Sequence, residues 1–256
     1  LLKNTFIHIP GVGRIAERAL WESGCLEWGQ YLDNPGRFSI GTASPSKAVE
    51  VLTESQRHLD SGTHQYFQRA LGLAESWRAF PDFRDDCVYL DIETDGGQAG
   101  DSITMVGLYD GLEFRCLVRD EDLSQFPDLI SHYKMIVTFF GSGFDLPMLQ
   151  RKFPSVEFDQ IHLDLCPTLK KLGLRGGLKK IEASLGLARS EDTTGLSGWD
   201  AVRLWRQYER GSDRALETLI AYNREDVVNL EFLAELAYSR LRIATLPDAA
   251  QPAVES

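Results

Sequence analysis

Two carboxylates one residue apart, Asp91 and Glu93, lie in the run Cys87 to Thr94. There Val88, Leu90 and Ile92 alternate with Tyr89, Asp91 and Glu93, the period of a strand with two unlike faces. Side chains two apart in a strand leave the same face, so the two carboxylates lie close together. Like charges held that close raise each other's pKa unless a cation lies between them. The pair therefore reads either as part of a divalent-metal site or as two solvated carboxylates at a strand end. Asp226 adds a third. Leu219, Tyr222, Leu230, Leu233 and Ala237 recur at helical spacing, and Asp226 falls inside that apolar stripe, four residues after Tyr222. A carboxylate facing inward is costly unless paired, hydrogen-bonded or bound to metal. The plain alternative is an Asp at the stripe's margin, reaching water or an arginine. A fourth, Asp145, follows the apolar run Met135 to Phe140 and opens a helix. Asp is a routine cap there, yet the carboxyl end of a buried strand is also where open α/β sheets place their sites.

The elements that must position these residues occupy 85–243. After the first strand, 102–109 and 112–118 read as a hairpin joined by Asp110-Gly111. The run 135–140 lacks alternation, as expected of a strand covered on both faces, and 158–165 reads as a fifth strand. A helix is expected over 144–152, with Pro147 in its first turn, and a long one over about 212–240. Three antiparallel strands, then alternating helix and strand, then helices, make an α/β fold with a mixed sheet flanked by helices. Ahead of it, 1–42 forms a small helical module with the turn Ile9-Pro10-Gly11-Val12-Gly13. Residues 43–84 form a helical connector broken near Ser61-Gly62, and 244–256 is expected to be a flexible tail.

The chain has 256 residues, 43% hydrophobic and 25% charged, which excludes wholesale disorder, collagen-like repeats and coiled coil. No stretch approaches the roughly 18 apolar residues of a membrane span, so no membrane partner is expected. Cys25, Cys87, Cys116 and Cys166 are scattered without a C-x-x-C pair, which suits reduced thiols in a cytoplasm. The five histidines show no ligand spacing. The net charge of −11 argues against wrapping duplex DNA over the whole surface. It leaves room for a local nucleic-acid groove, because exposed charges beyond a Debye length of ~10 Å are screened.

Three motifs carry a resemblance. They are Tyr89-Leu90-Asp91-Ile92-Glu93-Thr94, then Phe140-Gly141-Ser142-Gly143-Phe144-Asp145-Leu146-Pro147-Met148-Leu149, then Tyr222-Asn223-Arg224-Glu225-Asp226. In this order and spacing, with Gly177-Leu178-Lys179-Lys180-Ile181-Glu182 before the third, the chain resembles the DEDD (DnaQ-like) exonuclease superfamily, which has an RNase H-like fold. Tyr222, four residues before Asp226, is similar to the tyrosine subtype; the histidine subtype wants His where Ala221 stands. Within the superfamily the chain looks most like the YprB-like RNase H-fold group. Relatives often carry Asn where this chain has Phe140.

The resemblance implies a metal-dependent 3′–5′ exonuclease acting on DNA or RNA. Two Mg²⁺ or Mn²⁺ ions would be held by Asp91, Glu93, Asp145 and Asp226. Asp91 would bridge both, Glu93 and Asp226 would complete one site, and Asp145 would serve the other. Tyr222 would orient or help deprotonate the attacking water. The expected partner is a single-stranded 3′ end. Lys170, Lys171, Arg175, Lys179 and Lys180 give five cations in eleven residues, and Lys179 and Lys180 follow Gly176-Gly177 at a helix start that can take phosphate. The turn at Gly11 and Gly13, followed by Arg14, resembles a helix-hairpin-helix module that grips phosphate, although Glu17 stands where many such modules have Ala. The alternatives are a non-catalytic nucleic-acid-binding domain on the same fold, or a subunit of a repair or replication complex.

Overall fold

The computed structural model describes residues 1–247. The alternating run becomes β1 (Cys87–Thr94), the middle strand of a five-stranded sheet. With β2 (Ile103–Tyr109), β3 (Phe114–Val118), β4 (Met135–Thr138) and β5 (Ile161–Asp164) the order is β3-β2-β1-β4-β5. β1 to β3 pair antiparallel, whereas β4 and β5 join parallel, giving the mixed sheet expected.

Helices cover both faces. Preceding the sheet are α1 (Arg14–Glu22), α2 (Trp28–Asp33), α3 (Pro45–Asp60), α4 (His64–Glu75) and α5 (Phe80–Phe83). Between the strands lie α6 (Phe126–Ile130) and α7 (Asp145–Lys152). After β5 come α8 (Leu165–Lys171), α9 (Leu178–Leu185), α10 (Gly198–Tyr208) and α11 (Asp213–Thr245). Val88, Leu90 and Ile92 of β1 pack with Phe126, Ile130, Met148 and Leu149 under α6 and α7. The opposite face, with Cys87 and Tyr89, packs against Val227, Leu230, Leu233 and Ala237 of α11. Asp91 and Glu93 share that second face, so α11 roofs them. No helix among the described residues is long and apolar enough to cross a membrane.

That second core continues into the N-terminal residues without a break. Leu2, Phe6, Ile9, Leu20, Trp28 and Tyr31 belong to one buried cluster with Val137, Leu163 and Leu241. Each such side chain contributes roughly 1.5–3 kcal/mol of burial. Glu17, the residue that departs from the helix-hairpin-helix pattern, is 1% exposed and points into this cluster. It accepts hydrogen bonds from the amides of Phe6 (2.7 Å) and Ile7 (3.0 Å) and a bidentate pair from Arg78 at 2.9 Å. Arg78, equally buried, also donates from Nε to Glu75 at 2.7 Å. Ahead of the turn there is a single 3₁₀ turn, Leu2–Asn4, in place of a first helix.

Several boundaries move, each for a local reason. β3 starts at Phe114, not 112, because Asp110 Oδ1 accepts from the amides of Leu112 and Glu113 and holds them in the turn. β4 stops at Thr138, since Phe140 takes φ +67°, outside strand conformation. β5 begins at Ile161, with Phe158 turned onto the core under α6. The tail expected from residue 244 instead continues α11 to Thr245, and Leu246 is buried at 3% exposure. Positions 248–256 of that tail lie outside the described residues.

Removing one side of a buried ion pair leaves the other charge uncompensated. Arg78→Met is therefore expected to cost about 3–5 kcal/mol of stability in urea unfolding. A loss below about 1 kcal/mol would show that Glu17 is satisfied by its two amides alone.

Candidate metal centre

Asp91 sits on β1 opposite Gly107 of β2. A Cβ at Gly107 would come within 1.8 Å of Asn223 Oδ1, so only glycine lets α11 lay Asn223 against the sheet there. Asn223, fully buried, donates from Nδ2 to Asp91 Oδ2 at 3.0 Å. One turn on from Tyr222, α11 brings Asp226 to the same place. Asp91, Glu93 and Asp226 each offer an oxygen, and the three lie within 4.8 Å of one another.

Repulsion and burial act together on these groups. Burial, then Asp145, Asp226 and Glu93, push Asp91 well above the ordinary carboxylate range. Burial and Asp226 do the same to Glu93. Asp226 is also raised, because burial outweighs the arginine beside it. Asp145 opens α7 and accepts from the Ile92 amide at 3.2 Å, yet burial takes it to about 7. Carboxylates whose charged forms are disfavoured by burial and by one another suit a hard divalent cation, which takes oxygen ligands and favours their ionised form. The donor set fits Mg²⁺ or Mn²⁺.

Two protein cations face the cluster. Arg189, in the loop between α9 and α10, pairs with Asp226 and, at 2.7 Å, with buried Glu182. Asn229 donates to that same Glu182 at 2.9 Å. Lys179, in the first turn of α9, places Nζ 3.9 Å from the centre of the Tyr222 ring and donates to its hydroxyl oxygen. Burial lowers the Lys179 pKa, and Asp226 opposes that shift. Burial, with Asp226 and Glu93 next, pushes the Tyr222 phenol well above its usual value, so it keeps its proton.

Of the residues singled out in the sequence, Asp91, Glu93, Asp226 and Tyr222 converge, and Asp145 lies beside them with an oxygen turned to the Ile92 amide. Lys179 belongs to this cluster rather than to an outer face, while Lys180 stays exposed along the groove that Gly177 and Lys179 line. Gly11, Gly13 and Arg14 line a separate groove of about 710 Å³ beside α1. There Gly11 takes φ +91°, its carbonyl accepts from Thr42, and Arg14 pairs with Glu75. Gly107 and Arg189 were not singled out, and Asn223 and Glu182 stood only as members of motifs, without a role. The signal for Gly107 and Asn223 was a glycine inside an otherwise apolar strand, which marks close approach by another group.

No relative is found among curated proteins. A family B DNA polymerase from the hyperthermophilic archaeon Pyrobaculum calidifontis superposes with a TM-score of 0.46 at 15% identity, over 61% of this chain and 24% of the polymerase. This chain thus spans about a quarter of that polymerase's length. A family model described as the RNase H superfamily matches residues 88–238, which hold the sheet except for Cys87, all four carboxylates and Tyr222. With more than half of its length inside that match, the chain belongs to the RNase H superfamily.

Proposed function

We propose that the chain is a metal-dependent nuclease of the DEDD tyrosine type, removing nucleotides from the 3′ end of DNA or RNA. One observation carries this reading: three carboxylate oxygens within 4.8 Å of one another, Glu93 and Asp226 buried and Asp91 partly so, with a protonated tyrosine one helical turn from the third. Asp91, Glu93 and Asp226 would hold one Mg²⁺ or Mn²⁺, and Asp145 would serve a second together with Asp91. Such ions supply an activated water and positive charge opposite the leaving oxygen of a phosphodiester.

The protein's own groups fill the remaining roles. Asn223 fixes one Asp91 oxygen and leaves the other free for the cleft. Arg189, itself held by Glu182, sets the rotamer of Asp226. Tyr222 keeps its proton and so acts by orienting water, with Lys179 holding the phenolic oxygen in place. Lys179 also supplies charge for the scissile phosphate, and Lys180 with the Gly177 backbone extends it along the groove. Gly11, Gly13 and Arg14 would add a secondary backbone contact away from the chemistry.

End-labelled single- and double-stranded DNA and RNA, incubated with protein and Mn²⁺ and run on a denaturing gel, test the reading directly. A 5′-labelled strand should shorten stepwise from its other end. No metal-dependent release from any substrate would refute it.

Asp91→Asn is expected to abolish this cleavage while keeping the fold, because the residue that would serve both ions loses its charge. A carboxylate whose pKa is raised by folding destabilises the protein once pH passes its unfolded value near 4, and fully above its folded value. In EDTA the variant's Tm should therefore gain on the wild type as pH rises from about 4 to 8. Mn²⁺ should raise Tm in the wild type far more than in the variant. Retained Mn²⁺-dependent cleavage by the purified variant would remove Asp91 from the site.

Tyr222→Phe deletes one hydroxyl and keeps the ring. Turnover should fall about 10²–10⁴-fold with KM little changed. A collapse of KM at constant kcat would assign Tyr222 to substrate binding instead.

A further inference from the structure

The chain has five tryptophans, and four of them, Trp21, Trp28, Trp77 and Trp205, are buried. Trp199 is 76% exposed. It sits in the first turn of α10, whose buried side is made by Ala201, Val202 and Trp205, so the core makes no use of its ring. Its place is nonetheless fixed. Ser197 and Asp200 form a capping box, with the Ser197 amide donating to Asp200 at 2.8 Å, which sets where α10 begins.

That starting point lies between two grooves. One, of about 410 Å³, is lined by Asp91, Glu93, Tyr222, Asp226, Phe144 and Trp199. The other, of about 330 Å³, runs past Gly177, Lys179, Lys180 and Gly198, and it shares Asp91, Tyr222 and Asp226 with the first. The cationic groove suits a phosphate backbone. The first groove offers aromatic surface instead, Trp199 and the partly exposed Phe144, beside the same carboxylates.

An aromatic ring stacks on any base whatever its sequence, provided the base is free of its own stack and pairing partner. We propose that Trp199 is the stacking platform for an unpaired base next to the scissile phosphate, the contact by which this site would tell a free end from a blunt duplex. This rests on the nuclease reading above and adds the residue that would select the single-stranded end expected from the sequence. Trp199 is a specificity-determining residue here; the metal ligands and Tyr222 do the chemistry.

Because Trp199 is the exposed tryptophan, its fluorescence reports its own contact. The full chain is titrated with a ten-nucleotide single-stranded DNA and, separately, with the blunt duplex of the same sequence, Ca²⁺ replacing Mn²⁺. The single strand should quench saturably and the duplex should not. Trp199→Ala should abolish that quenching and weaken binding of a dye-labelled single strand by about 5- to 150-fold, the range of one base–aromatic stack. Trp199→Phe should restore most of the affinity. In Mn²⁺ assays Trp199→Ala should raise KM on single strands by a similar factor, with kcat little changed. Unchanged affinity and KM in Trp199→Ala, at wild-type Tm, would overturn the proposal, as would equal quenching by the duplex. If the wild type cleaves nothing, the nuclease reading fails, while the quenching and anisotropy results still decide whether Trp199 stacks bases.

Discussion

Negative charge buried against one strand is the constraint on which the remaining architecture turns. Asp91 and Glu93 leave β1 on the face that α11 covers, so the helix must lie close enough to deliver Asp226 and yet tolerate three carboxylate oxygens within 4.8 Å. Repulsion of that kind would lever a weakly held helix away from the sheet. α11 answers with length: its 33 residues carry the site in their middle and an apolar stripe on toward Leu241. The far end is clamped by the N-terminal elements, where Tyr238 meets Trp77 and Phe80 with ring centres 6.4 and 6.2 Å apart. The N-terminal residues, whatever else they touch, thus form part of the support of the carboxylate cluster. Arg78 joins them to each other by tying Glu17 to Glu75.

Local charge is offset in part from within. Against Asp91, Glu93, Asp145 and Asp226 the fold sets Lys179 and Arg189, drawn from α9 and from the loop behind it. Burying a guanidinium costs several kcal/mol, which a single exposed partner does not offset. Arg189 has Glu182 and Asp226 in direct contact, with Glu225 at 4.0 Å. Positive charge is thus recruited where it is needed, although the chain as a whole carries −11. An overall acidic balance is no guide to the potential inside such a cleft.

How much of this was legible follows from the range of each interaction. β1 and α11 declare themselves because periods of 2 and 3.6 residues are written in contiguous sequence, and Asp226 is conspicuous as a carboxylate within an apolar stripe. Asn223 is invisible by the same logic. A single Asn in a helix is unremarkable until Gly107, 116 positions away by subtraction of the two residue numbers, is found to make room for it. Arg189 stands in an irregular loop, where no period marks its direction. Glu17 was noticed only as a departure from a pattern. Its meaning, an acceptor for two amides and an arginine, required Arg78, which follows it by 61 residues.

Asp164 shows why carboxylate count alone does not locate such a centre. It ends β5, is fully buried, and lies near enough to Asp145 to raise its pKa. Yet its oxygens already accept from the amides of Phe140 (2.8 Å), Ser142 (3.1 Å) and Cys166 (3.0 Å) and from the Ser142 hydroxyl (2.5 Å). Those bonds hold the loop after β4, including Phe140 in its left-handed conformation, and so place Phe144 and Asp145 at the head of α7. A carboxylate whose lone pairs are filled by fixed N–H and O–H donors has little left for a cation, and its work is structural. Asp91, in contrast, receives the Asn223 amide on one oxygen, and burial and its charged neighbours hold its pKa high. The difference between a scaffold carboxylate and a metal ligand at this end of the sheet is therefore the number of donors already spent on it, a property fixed by contacts between β5, α7 and the 140–143 turn.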